Sequence, residues 1–158
     1  MDMVQVKDLD DRVRELVEKS NWPNNLRLIR ELANGWQEYE PSQDHTSILQ
    51  SFRDRDGRSV VGKFKPHMKD LIVHEKFPFR LLSNKDVYVE SGSLWVLIPL
   101  SYSSTCVKYK TRASREWNHL RWEPGTYILV PWGNKLRVEA PETSVRGLMV
   151  EIQSQPPP

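Results

Sequence analysis

The run from Gly125 to Ala140, G-TYILV-P-W-G-N-K-L-R-V-E-A, constrains the fold more than any other part of this sequence. Gly125 permits a tight turn into the apolar, β-branched run Thr126 to Val130, and Pro131, which has no N–H, ends ladder pairing. Gly133 supplies the positive φ that a sharp corner needs, so Lys135 to Glu139 reads as a second strand leaving that corner. The same grammar of short runs punctuated by Gly, Pro and Asn extends through the second half of the chain. Candidate strands are Asp70 to His74, Phe79 to Leu82, Val87 to Val89, Ser93 to Ile98, Thr105 to Lys110, His119 to Trp122, Thr126 to Val130, Lys135 to Glu139 and Val145 to Gln153. Strands at such intervals, with no helix between them, favour an antiparallel sandwich or barrel.

The N-terminal part has a different period. Leu9, Val13, Leu16 and Val17 recur at helical spacing behind a plausible cap at Asp8, and Leu26, Ile29, Leu32 and Ala33 suggest a second helix from Asn24 or Asn25 that stops at Gly35. The turn formers Asn21-Trp22-Pro23-Asn24-Asn25 separate the two. Ile48 to Phe52 and Val60 to Phe64 flank an Asp56-Gly57 step and read as a strand hairpin. The expected organisation is a helical hairpin over 1–45, a β barrel over 46–153 and a frayed Pro-rich tail over 154–158.

Composition narrows the functional classes. A chain of 158 residues, 38% hydrophobic and 28% charged, can bury one full core. Its formal net charge of +2 does not by itself argue for nucleic acid. No apolar run approaches the roughly 20 residues that cross a bilayer, and no leader pattern opens the chain, so an intracellular, membrane-free setting is expected. The single cysteine, Cys106, excludes an internal disulfide and fits a reducing compartment.

The spacing of Gly125 to Ala140 resembles the second motif of the cupin superfamily, G-x5-P-x-G-x2-H-x3-N, with Leu136 at the place of the metal-ligating His and Ala140 at that of the Asn. Val87-Tyr88-Val89-Glu90-Ser91-Gly92-Ser93-Leu94-Trp95-Val96 is similar to the first cupin hairpin, and Ser144 to Ile152 to the closing strand. The first motif's H-x-H is missing, and the four histidines, His45, His67, His74 and His119, fall on separate elements. The resemblance implies a mainly β fold, a cupin-like antiparallel jelly-roll barrel with an N-terminal helical hairpin, of the metal-free type. Among such proteins the dimerising C-terminal domain of centromere protein C is similar, since Gly125, Val130, Pro131, Gly133, Asn134, Val138 and Gln153 fit its pattern. That likeness implies a homodimer, a chromatin or kinetochore protein partner and a nuclear location, with no metal, no cofactor and no enzymatic role.

Individual residues keep two readings. Trp95, Tyr127, Leu129 and Trp132 are expected at the dimer or partner surface; Trp95 also reads as core, and Trp132 as a ligand contact. In the alternative, a small-molecule-binding cupin, sensor or enzyme, Tyr88, Glu90 and Trp95 would line a cavity, with His74, Glu75 and Glu90 as possible acids and bases. A viral or phage protein using the barrel to capture a host molecule is a third reading. Lys108 to Arg121 interleaves basic and aromatic residues, suited to nucleic acid or to a solvated hairpin. Cys106 reads as core, or as a nucleophile. The helical hairpin either closes the barrel or docks a partner.

Overall fold

A computed structural model describes residues 3–64 and 71–154. Two antiparallel sheets face each other. The strands are β1 (Gln5–Asp8), β2 (Leu28–Glu31), β3 (Trp36–Tyr39), β4 (Leu71–Leu82), β5 (Asp86–Tyr88), β6 (Ser93–Pro99), β7 (Val107–Lys110), β8 (Asn118–His119), β9 (Thr126–Pro131), β10 (Lys135–Val138) and β11 (Ser144–Ser154). The larger sheet runs β1-β9-β6-β11-β4-β3-β2 and the smaller β5-β10-β7-β8. This is the mainly β jelly roll expected from the sequence, and the corner glycines behave as read, with φ of +98° at Gly125 and +88° at Gly133. Of the expected C-terminal tail, Ser154 instead ends β11 and 155–158 lie outside the described residues.

Three helices cover the outer face of the larger sheet: α1 (Asp11–Lys19), α2 (Gln43–Arg55) and α3 (Gly57–Phe64). The first is the predicted one, but its cap is Asp10, whose carboxylate accepts from the Arg12 N–H, and not Asp8, which ends β1. The second predicted helix is instead the β2–β3 hairpin, because Leu28, Ile29 and Leu32 gather on no buried face and stay exposed while Trp36, Glu38 and Tyr39 are buried. Gly35, read as a helix stop, takes φ +83° in the turn between those strands. Conversely, the predicted hairpin around Asp56-Gly57 is the α2–α3 junction. Ile48, Leu49 and Phe52 recur at helical spacing and are buried, and Ser42 starts α2 with a reciprocal capping box, accepting from His45 N–H while its own N–H donates to His45 Nδ1, both at 3.2 Å.

Period-two alternation along each strand sorts side chains into two cores. Val96, Ile98, Leu129, Leu148 and Val150 point outward to Val13, Ile48 and Phe52 of the helices. Phe79, Trp95, Leu97, Val130 and Met149 point inward to Val87, Val107, Leu136 and Val138 of the smaller sheet. The N-terminal segment is woven into this architecture, since β1 pairs with β9 and β3 with β4.

Gly147 sits where β11 passes between Phe79 and β6. A methyl added there would lie 2.8 Å from the Ile98 carbonyl oxygen and 3.0 Å from the Phe79 ring. Gly147→Ala is therefore expected to destabilise the fold by about 1–3 kcal/mol in chemical denaturation, the usual cost of overpacking.

Burial holds the His45 imidazole below its ordinary pKa of 6.5, with nearby Asp44 pulling weakly the other way. The unfolded chain thus binds this proton more readily than the native one, so His45 contributes stability that is fully present above 6.5 and is lost progressively as pH falls below 6.5 through the lowered native value. Thermal unfolding between neutral and mildly acidic pH should show this loss, and His45→Gln, which can keep the capping box, should flatten it.

Candidate functional site

At one mouth of the barrel, strand ends of both sheets and the β2–β3 hairpin enclose a cavity of about 310 Å³. Its walls are aromatic: Trp36, Phe77, Tyr88 and Trp95. Trp36 stacks on Phe79 with ring centroids 4.3 Å apart and lies 5.1 Å from the Trp95 ring, which fixes the floor.

The polar groups come from strand positions that pairing places side by side. Glu151 lies opposite Trp95, and Gln153 opposite Ser93. Trp95 Nε1 donates to Glu151 Oε2 at 3.2 Å, and Gln153 Nε2 donates to Glu151 Oε1 at 2.6 Å and to Ser93 Oγ at 3.3 Å. Across the cavity Arg30 grips the buried Glu38 through two bonds, Nη2 to Oε1 at 2.6 Å and Nε to Oε2 at 3.0 Å. Such bidentate pairs hold both planes in a fixed orientation. Glu90 stands exposed at the rim. Three carboxylates, Glu38, Glu90 and Glu151, thus meet one guanidinium, Arg30.

Tyr88, Glu90 and Trp95, the alternative ligand-binding set of the sequence, all line this cavity. Arg30, Trp36, Glu38, Glu151 and Gln153 were not anticipated. The period-two pattern of β11 could have placed Glu151 and Gln153 on the Met149 face, whereas Arg30 and Glu38 were hidden by reading their segment as helix. The side chains of His74 and Glu75 lie outside the described residues.

The proposed interface residues do not share a surface. Tyr127 and Leu129 are 7% and 1% exposed on the helix-covered face, where the Tyr127 ring meets Phe52 at 5.3 Å. Trp95 points to the opposite core, and Trp132 is half-buried against both. In the basic run, Lys108 pairs with Glu139 at 2.7 Å and the Trp117 face is occupied by the Arg137 guanidinium at 4.2 Å, so neither is open for phosphate or base. Cys106 is buried, with its Sγ 3.8 Å from Thr105 Oγ1. Among the described residues no helix is long and apolar enough to cross a membrane.

No protein family and no curated protein matches the sequence. Solved structures do match over nearly the whole chain. HygX of Streptomyces hygroscopicus, with nickel, 2-oxoglutarate and hygromycin B bound, matches at TM-score 0.63 and 8% identity, over 98% of this chain and 84% of that one. The collagen prolyl hydroxylase of Paramecium bursaria Chlorella virus-1, in complex with 2-oxoglutarate, matches at 0.64 and 8%, over 97% and 96%. A prolyl-4-hydroxylase of Pseudomonas putida matches at 0.63 and 10%, over 98% and 94%. At such identities the likeness shows the fold: a cupin-like jelly roll of the shape used by 2-oxoglutarate-dependent oxygenases.

These matches overturn the expectation of a centromere-type, metal-free homodimerisation module without enzymatic role. The motifs that suggested it, turn glycines and a strand-ending proline, are demands of the barrel and are indifferent to what the barrel does. The described residues do not, however, fit a transition metal such as the nickel of HygX. Val87, Val89, Leu136 and Val138 belong to the core between the sheets, and among the described residues no three His, Cys, Asp or Glu side chains are grouped so that they could hold a metal ion. The chemistry open to the site runs through its carboxylates, its guanidinium and its indoles.

Trp95→Phe removes the indole donor to Glu151 and keeps a ring against Trp36. The fold should survive with about 1 kcal/mol of lost stability in urea denaturation, the net worth of one hydrogen bond.

Proposed function

We propose that this chain binds a small organic molecule carrying an amine in the mouth cavity, as an enzyme or sensor built on the oxygenase-type jelly roll. The observation that carries the reading is the excess of carboxylates among aromatic walls. Indole and phenol faces attract cations, and Glu90 and Glu151 can accept hydrogen bonds from an ammonium group. Three carboxylates, Glu38, Glu90 and Glu151, against the one guanidinium of Arg30 give the cavity lining a net negative charge. A volume of about 310 Å³ suits a ligand of modest size, at the small end of the roughly 300–1,000 Å³ common for such sites. Glu90, Glu151 and Tyr88 are the groups that can exchange a proton with it.

The test is a thermal-shift and calorimetric screen of amine-bearing metabolites matched against their uncharged analogues, preceded by mass spectrometry of whatever co-purifies with the protein. An amine ligand should bind at one per chain, and Glu90→Gln with Glu151→Gln should weaken it at least tenfold, about 1.4 kcal/mol. Equal binding of the uncharged analogues, or unchanged affinity in the double variant, would sink the reading.

A further inference from the structure

A second cluster of charge lies on the other side of the larger sheet, away from the mouth. Arg80 of β4 and Arg146 of β11 are direct cross-strand partners. Both occupy outward-facing positions, since their neighbours Phe79, Leu81 and Val145 belong to the inner core. Side chains directly opposite one another stand roughly 5 Å apart at Cβ, where like charges repel. No carboxylate among the described residues makes an ion pair with either guanidinium. What they have is aromatic: Trp22 lies over both, 5.9 Å from Arg80 and 5.5 Å from Arg146, and Tyr39, edge-on to Trp22 at 5.4 Å, lies 5.8 Å from Arg80.

The surroundings add positive potential. His45, at the third position of the 13-residue helix α2, has its ring 5.3 Å from that of Trp22. It is fully buried, and because Nδ1 accepts from Ser42, the neutral ring carries its proton on Nε2, which has no partner. Arg80 Nε is likewise buried without an acceptor. Asp44, the acidic residue of that helix turn, is exposed and accepts from the Asn21 N–H at 3.3 Å. Two half-buried guanidiniums, two orphaned N–H donors and the positive end of a helix therefore gather with no described anion among them. Cation–π contact offsets only part of the cost of bringing two like charges together, and a buried donor without an acceptor keeps its desolvation cost uncompensated.

We propose that Arg80 and Arg146, beneath Trp22, form a binding site for a phosphate group. A dianion compensates both guanidiniums where a carboxylate would compensate one, and two planar forks present the parallel N–H donors that phosphate oxygens accept. The site stands on residues separate from the mouth cavity and is independent of the function proposed for it. The phosphate comes either free or on a small phosphorylated metabolite; the chemistry at the two arginines is the same.

Inorganic phosphate and glycerol phosphate are titrated into the full chain at fixed ionic strength, with chloride as the reference, following the side-chain Nε–H signals of arginine and the indole N–H signals by NMR. Saturable shifts of Arg80, Arg146 and Trp22 at one ligand per chain are expected, and the tighter of the two ligands identifies the source. Arg146→Met should weaken binding at least tenfold and Arg146→Lys by less, while Glu90→Gln leaves it unchanged. Shifts no larger than those with chloride, or full affinity in Arg146→Met, would overturn the proposal. The wild-type titration decides the matter even where a variant folds poorly.

Discussion

Strand β11 is the member on which the rest of the structure depends. It is hydrogen-bonded along its length to β4 on one side and to β6 on the other, and both of its faces are buried. Alternate residues serve different cores: Val145 and Met149 fill the space between the sheets, while Leu148, Val150 and Ile152 receive the helices. A slip of one residue would exchange these sets and destroy both cores together, so the register is fixed by packing on two sides. That fixed register also sets the chemistry. Arg146 falls on the helix side, facing its counterpart on β4, and Glu151 and Gln153 fall at the mouth, beside Trp95 and Ser93.

The barrel was legible in the sequence because its signals are local. Gly125, Pro131 and Gly133 mark turns by backbone geometry alone, and the strand runs between them are short and β-branched. The N-terminal half was misread where local signals conflict with tertiary ones. Asp56-Gly57 is a hairpin signal in isolation, yet Ile48, Leu49 and Phe52 gain more by lying as a helix on Leu129 and Leu148. Ile29 and Leu32 fit a helical stripe, but β-pairing with Trp36 to Tyr39 gives the segment its backbone partners and leaves those side chains exposed. The Asp56-Gly57 signal hides α2, so Tyr127 and Leu129 read as surface residues although that helix covers them.

The cavity was only half readable for the same reason. Tyr88, Glu90 and Trp95 lie on the hairpin that sequence spacing already marked, so their convergence needed no long-range information. Arg30 and Glu38 reach the site from a segment far away in the chain, and no local pattern announces that contact. The loss of histidine at Leu136 was visible from the start, but the loss of one ligand says nothing about which other side chains the barrel presents. The structure supplies that part: indoles and carboxylates at the mouth, aliphatic residues deeper in.

The β2–β3 hairpin has a consequence for how such a protein can change over time. It hangs on the sheet through the short pairing of β3 with β4, and β2 is the outermost strand, with all four residues exposed. Yet it contributes Arg30, Leu32, Asn34, Trp36 and Glu38 to the cavity. Apart from Trp36, Glu38 and the Arg30 that pairs with Glu38, these are residues whose replacement disturbs little of either core. Selectivity for one ligand over another can therefore drift by substitution in this peripheral flap, while the barrel that supports it is held constant by its packing.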